Sequence, residues 1–183
     1  METAINNEVK MWAVDPTHSS VHFAVKHMVI SKTKGAFGNY SIKAETKGSD
    51  FENSKIELEI EVNSIDTKMA DRDNHLRSAD FFNAEQFPVI RFVSTEMKKI
   101  SDEEYLLSGN ITIKDITKPI TFNVSYGGQT LDPWGNLRTG FTLEGKIDRF
   151  DFGLTWNTLL ETGGAMVGKE VKLEAEIEMV GSK

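Results

Sequence analysis

KIELEIEVN, residues 55–63, sorts its side chains by twos: Ile56, Leu58, Ile60 and Val62 face one way, Glu57, Glu59 and Glu61 the other. Period two with one apolar and one charged face marks a strand packed on one side and wet on the other. At helical spacing the same residues would mix around the axis. EVKLEAEIEMV, residues 170–180, repeats the pattern near the other end of the chain. Val171, Leu173, Ala175, Ile177 and Met179 oppose Lys172, Glu174, Glu176 and Glu178. These two segments make the fold class all-β.

Between and before them the same rule recurs less strictly. Val21, Phe23, Val25 and Val29 share a face, as do Tyr40, Ile42 and Ala44, and then Ile90 and Phe92. Tyr105, Leu107, Ile111 and Ile113 follow, then Ile120, Phe122, Val124 and Tyr126, and finally Phe141, Leu143 and Ile147. Turn-forming residues separate them at SDEE (101–104), KDITKP (114–119) and GGQTLDPWGN (127–136). The pattern predicts about eight strands, mostly antiparallel hairpin neighbours, in one domain over residues 1–183 with a flexible stretch at 1–10.

Eight such strands either stack as a sandwich or close into a barrel. The segment 169–180 would run roughly 40 Å at 3.3 Å per residue, about twice a typical strand. Gly109, Gly145 and Ala175 interrupt the inward rows, and an inward small residue either permits a bend or leaves space. Both features favour an extended antiparallel barrel with a long apolar cavity.

Composition narrows the function. The chain has 28 Asp and Glu against 21 Lys and Arg, a net charge of −7, so it repels phosphate backbones and nucleic-acid binding is not expected. There is no cysteine, which removes disulfides, thiolate nucleophiles and Cys-based metal sites. The N-terminal METAINNEVKMW carries no apolar signal region, and no apolar run approaches the ~20 residues of a membrane span. The expected compartment is the cytoplasm.

DRDNHLRSADFF, residues 71–82, breaks the strand pattern. With Asp66 or Thr67 as N-cap and no Gly or Pro from Met69 to Ser78, it reads as one short helix near residues 68–78 crossing outside the sheet. Its mixed charges argue against a DNA-recognition helix. Asp73 and His75 do not form a catalytic pair, since near neighbours on a helix point apart. Leu76, Phe81, Phe82 and Phe87 are expected to plug the barrel's mouth.

His18 and His22, four residues apart on a strand, sit about 13 Å from each other and cannot share a metal ion. His27 falls on the inward row, where it is either a hydrogen-bonded core residue or the polar group that orients a ligand's head. Arg149 falls on the inward row of Phe141, with Asp151 or Asp80 as the expected carboxylate partner. GGAMVGKE, residues 163–170, misses the phosphate loop by Glu170 and is followed by a strand where a helix is required.

Several segments occur together in order: VDPTHSSVHFAVKHMV, SIDT followed by RDNHLRSADFF, FPVIRFVST, SGNITIKDITKPITF and GFTLEGKIDRFDFGLTWN. Together, over Trp12 to Met179, they closely resemble the YceI-like, polyisoprenoid-binding family. Asp115 departs from the pattern, standing where the family usually has Gly in the turn before TKP. The resemblance implies a lipocalin-like barrel that holds a long isoprenoid or other lipid chain inside, such as a prenyl phosphate or isoprenoid quinone, and a homodimer. It implies no catalytic residues, and no metal or cofactor is expected.

The candidate ligand-binding residues are Phe23, Val25 and His27, then Tyr40, Ile42, Leu58 and Ile60. Phe82 and Phe92 come next, followed by Leu107, Ile111 and Phe122. Phe141, Leu143, Gly145, Arg149 and Trp156 complete the set. Two classes compete, a lipid carrier or sequestering protein and an enzyme using the barrel as a cup, and fold alone does not separate them.

Overall fold

In the computed structural model, which describes residues 8–48 and 50–183, the chain forms eleven strands. These are β1 (Val9–Val14), β2 (Ser20–His27), β3 (Ser31–Phe37), β4 (Tyr40–Lys47), β5 (Lys55–Glu61) and β6 (Ile65–Asp66). After the helix α1 (Ala70–Arg77) come β7 (Val89–Lys99), β8 (Glu104–Ile113), β9 (Ile116–Leu131), β10 (Leu137–Asp148) and β11 (Val167–Gly181). Short 3-10 turns occupy Val62–Ser64 and Arg149–Phe152.

Register reconciles eleven strands with the eight expected. β1 and β2 pair with successive stretches of β11, Trp12 opposite Gly181 and His27 opposite Val167. They are one long line interrupted at Asp15–Ser19. β4 and β3 pair with β1 and β2 respectively, and β5 and β6 with β4 and β3. Those two lines break at Gly38–Asn39 and at the turn Val62–Ser64. With β7 to β11 unbroken, eight antiparallel lines close where β11 meets β1. Closure pairs the wall on both sides around most of the barrel, while β3 has a strand partner on its outer side at Ala36 and Phe37 alone among the described residues.

Some local expectations change. The helix starts at Ala70, but its N-cap is Met69, with no side-chain cap; Asp66 instead accepts from the Lys68 N–H at 2.7 Å. Turn-like 116–119 and 127–131 belong to the 16-residue β9, with Pro119 set opposite Asn110. The actual turn at Lys114–Asp115 takes its left-handed φ at Lys114 (59°) rather than at Asp115. Of the expected flexible stretch 1–10, residues 1–7 lie outside the described residues, while Val9 and Lys10 already pair with β4.

Val29 leaves the inward row of β2 and stands in the β2–β3 turn, 66 % exposed. Met28 and Val29 there hold φ of 51° and 66°. A left-handed backbone costs an L-residue roughly 1–2 kcal/mol, and a β-branched one is a rare occupant.

Arg138 on β10 clamps the end where the barrel closes. It donates to Asp15 in the β1–β2 break, to Glu178 on β11 and to Asp132 in the β9–β10 turn, each at 2.7–2.8 Å. Hydrogen bonds from Thr17, His18 and Arg138 hold the Asp15 carboxyl well below its ordinary value of 3.8, and Arg138 does the same for Asp132. A depressed folded-state value gives stability that is present above the ordinary value and is lost as pH falls towards the folded one. Arg138→Gln is therefore expected to lower the melting temperature near neutral pH. The gap to the wild type should close as pH drops below 3.8, which thermal unfolding across an acid series measures.

Candidate functional site

The inward rows do not meet at the barrel's centre. They enclose a cavity of about 200 Å³ that touches both Val167 and Met179 on β11. Those residues are twelve positions apart, about 40 Å along a strand at 3.3 Å per residue, so the space is narrow and runs much of the barrel's length. One end is sealed by Phe51, which meets Trp12 at 5.3 Å, Tyr126 at 5.6 Å and Phe141 at 4.8 Å between ring centroids. The other end is covered by Leu76 of α1 and by Phe81 and Phe82 just after it. Phe87, expected with them, is half-buried and does not line the space.

The segment after β6 sits over that end because polar bonds pin it there. Asp73, buried in α1, accepts from the N–H and hydroxyl of Thr67 at 2.8 and 2.6 Å. Arg72 donates to the Thr67 hydroxyl and carbonyl, both at 2.7 Å. Arg77 reaches the carbonyls of Asn63 and Ile65. The charges of DRDNHLR serve this attachment, while Leu76 alone of the helix enters the lumen.

A second space of about 170 Å³ lies at the helix end. It shares Phe23, Val25, Leu76, Phe81 and Val167 with the first and adds Lys26, His27, Thr33, Arg72, His75, Trp156 and Met166. His75 and Trp156 cross at 4.7 Å and Phe81 meets Trp156 at 5.4 Å, so an aromatic cluster stands beside the passage between the two spaces. The long apolar lumen thus adjoins a short vestibule, itself mostly apolar, with Lys26, His27, Arg72 and His75 among its lining residues.

Most of the sequence-derived candidates border the lumen: Phe23, Val25, Ile42, Leu58, Ile60, Phe82, Phe92, Leu107, Ile111, Phe122, Phe141, Leu143 and Arg149. His27 and Trp156 line the vestibule. Tyr40 packs on the core from outside the lining. Gly145 leaves no gap, because a Cβ there would stand 2.6 Å from the Phe122 ring. The Phe92 ring fills the space over Gly109 in the same way. These glycines seat aromatic rings and do not widen the lumen, a correction to the reading of them as open space.

Arg149 also departs from expectation. It is 3 % exposed and has no carboxylate partner among the described residues; its guanidinium donates to the carbonyls of Gly168, Leu154, Trp156 and Val167. Burial lowers its pKa. The other polar lining residues of the lumen, His22 and Glu174, have exposed side chains and pair across β2 and β11. Asp15, His18 and Glu178 cluster outside the lumen's lining, in the β1–β2 break and on β11, around the Arg138 clamp. His18 therefore does not share a strand with His22.

Sequence reasoning missed Phe51 and Met97, both buried and both lining the lumen. Phe51 sits in the β4–β5 connection, where no periodicity can flag it. Met97 lies on β7, past a register shift between Ser94 and Glu96 that breaks the alternation.

The sequence that folds into this barrel matches a family model, that of the YceI-like domain, over residues 12–179. The chain belongs to the YceI-like family. A UPF0312 protein of Staphylococcus aureus (strain MSSA476) is 41 % identical over 165 residues, covering 90 % of this chain and 94 % of the relative. Among solved structures, the Campylobacter jejuni YCEI protein superposes with a TM-score of 0.71 at 29 % identity, covering 86 % of this chain and 90 % of that one. Burkholderia cenocepacia BcnA gives a TM-score of 0.78 at 22 % identity over 90 % and 98 % of the two chains, a likeness of fold. So does a polyisoprenoid binding domain from Saccharophagus degradans, with a TM-score of 0.64 at 14 % identity over 93 % of this YceI-like chain and 98 % of that domain.

Among the described residues of this YceI-like protein no helix is long and apolar enough to cross a membrane.

Proposed function

We propose that this YceI-like protein binds a long apolar lipid, a polyisoprenoid chain such as a prenyl phosphate or isoprenoid quinone, inside the barrel. There it carries, stores or sequesters the chain without chemical turnover. The observation that carries this reading is the lumen's shape and chemistry together: it is narrow, runs from Val167 to Met179, and is walled by hydrocarbon. Burying a chain there removes apolar surface from water at ~25 cal/mol per Å² on both sides of the contact. A flexible linear lipid fits such a space better than a compact ring system. The solved polyisoprenoid binding domain of the same fold supports the choice of an isoprenoid. Arg149, the one charged side chain buried against the lumen among the described residues, is engaged by carbonyls, which favours binding over acid–base work. A cytoplasmic homodimer completes the reading, with sedimentation of the purified protein testing the dimer.

Organic extraction of protein purified from cells, followed by mass spectrometry, is expected to recover a chain-like lipid in near-stoichiometric amount. Recovery of none, with no uptake of added isoprenoids, defeats the reading. Leu143→Trp, on a lining position of β10, should abolish lipid uptake while the melting temperature holds or rises, because the ring enters a hollow lumen. A packed core would instead lose ~1–3 kcal/mol to strain.

A further inference from the structure

The β2–β3 turn carries Met28, Val29 and Ile30 in succession, and Ile30 is 86 % exposed. A tight turn in water is normally built from Gly, Asn or Asp, which accept left-handed backbone at little strain. Here methionine and valine hold those conformations and present their side chains to solvent. Strain and exposed hydrocarbon at one place act together against the free molecule, a combination that persists where something outside the fold is contacted.

A second loop joins the turn. Leu159, in the connection between β10 and β11, is 83 % exposed. The Met28 N–H donates to the carbonyl of Met166 in the same connection, and the Val29 side chain lies over Gly164. The two tips thus form one apolar projection. It stands at the vestibule end of the barrel, since His27, Met166 and Val167 beside it line that space.

The hairpin half of the projection carries charge of one sign, while the Leu159 loop adds a single exposed acid, Glu161. No Asp or Glu occurs between Asp15 and Glu45, in a chain whose net charge is −7. The hairpin's Lys26, Lys32 and Lys34 are exposed, and among the described residues the ion pairs formed by lysines do not include them. At the barrel's other end Trp134 is also exposed, but it sits beside Asp132 and away from the vestibule.

We propose that the Met28–Ile30 turn and Leu159 dip into the surface of an anionic lipid bilayer, with Lys26, Lys32 and Lys34 against its head groups, so that the vestibule opens onto the membrane. Hydrocarbon at the tip with lysines behind it is the arrangement that an interfacial anchor requires. An acidic protein partner would be drawn to the lysines too, but it offers no hydrocarbon layer for a tip this small and protruding. The proposal rests on the lipid-binding reading for its purpose, and the route it adds is loading or unloading at a bilayer.

Flotation with vesicles tests it. The wild-type protein should float with vesicles of phosphatidylglycerol mixed into phosphatidylcholine and bind pure phosphatidylcholine about tenfold less. Ile30→Ser combined with Leu159→Ser should weaken binding by about tenfold or more. Lys26→Gln with Lys32→Gln and Lys34→Gln should erase the preference for the anionic vesicles. Val29→Gly relieves the left-handed strain and should raise the melting temperature while weakening vesicle binding, so a folding defect cannot pass for a lost contact.

A wild type that binds neither vesicle overturns the proposal, as do apolar variants that bind like the wild type. If the serine variant instead turns a dimer into a monomer while the wild type ignores vesicles, the tip is a contact between copies of the chain and the proposal falls. Uptake of a long-chain prenol from detergent micelles separates this from the lumen reading. Prenol uptake without vesicle binding sinks the membrane tip alone, and vesicle binding without prenol uptake sinks the lumen reading alone.

Discussion

Arg149→Met is expected to destabilise the protein by about 3–5 kcal/mol, because buried carbonyls left without a donor cost ~1–3 kcal/mol each. The guanidinium ties the carbonyls of Leu154 and Trp156 to those of Val167 and Gly168, so one side chain staples the turn after β10 to the start of β11. Methionine fills similar volume but leaves those acceptors without a donor. For a chain of this length the melting temperature should fall by roughly 10 °C or more. Arg149→Lys should recover only part of the loss, because an ammonium lacks the planar fork that reaches both segments. No part of this effect should depend on the lipid's head group. Equal weakening for neutral and anionic lipids, measured with the fall in stability, supports the staple. A stable variant that loses only anionic lipids would assign Arg149 to the ligand instead.

Gly109→Ala should cost ~2–3 kcal/mol, near the upper range for overpacking. A Cβ at Gly109 would collide with the Val93 carbonyl and approach the Phe92 ring to 2.5 Å. The carbonyl belongs to the β7–β8 ladder beside a register shift between Ser94 and Glu96, so it cannot retreat without opening that ladder. Gly145→Ala meets a different neighbour. There the obstacle is the Phe122 side chain, which has the lumen to move into, so the cost should be nearer 1 kcal/mol. The displaced ring then narrows the lumen, and lipid uptake should fall even though the barrel holds. Chemical denaturation of both variants, with uptake measured on the second, checks the pair. Equal costs at the two sites would show that the lumen beside Phe122 is not free space.

The YceI-like fold was legible because alternation is a property of a single strand. Ile56, Leu58 and Ile60 face inward in the structure, and Glu57, Glu59 and Glu61 outward, as the spacing alone requires. The ordered motifs from Trp12 to Met179 named the family, and the helix was found where the alternation stops, at Ala70–Arg77. Most inward-row residues proved to border one lumen for the same reason: a strand that buries one face in a closed barrel has only the interior to bury it against.

What the sequence left open depends on register between strands, which no single strand encodes. Whether an inward glycine leaves a gap depends on which side chain its neighbour lays across it. Phe92 and Phe122 fill the spaces at Gly109 and Gly145 through pairings set by the closed sheet. Arg149 could be read as buried from its row. Its partners are carbonyls brought together by the turn after β10 and the start of β11, so the expected carboxylate never arrives. Phe51 and the Met28–Ile30 projection lie in connections, where periodicity has no meaning and only the packed barrel decides which side chains are enclosed and which are left in water. The local pattern determined which faces are apolar; the closure of eight strand lines, each shifted against the next, decided which of those faces meet, which leave a lumen, and where it opens.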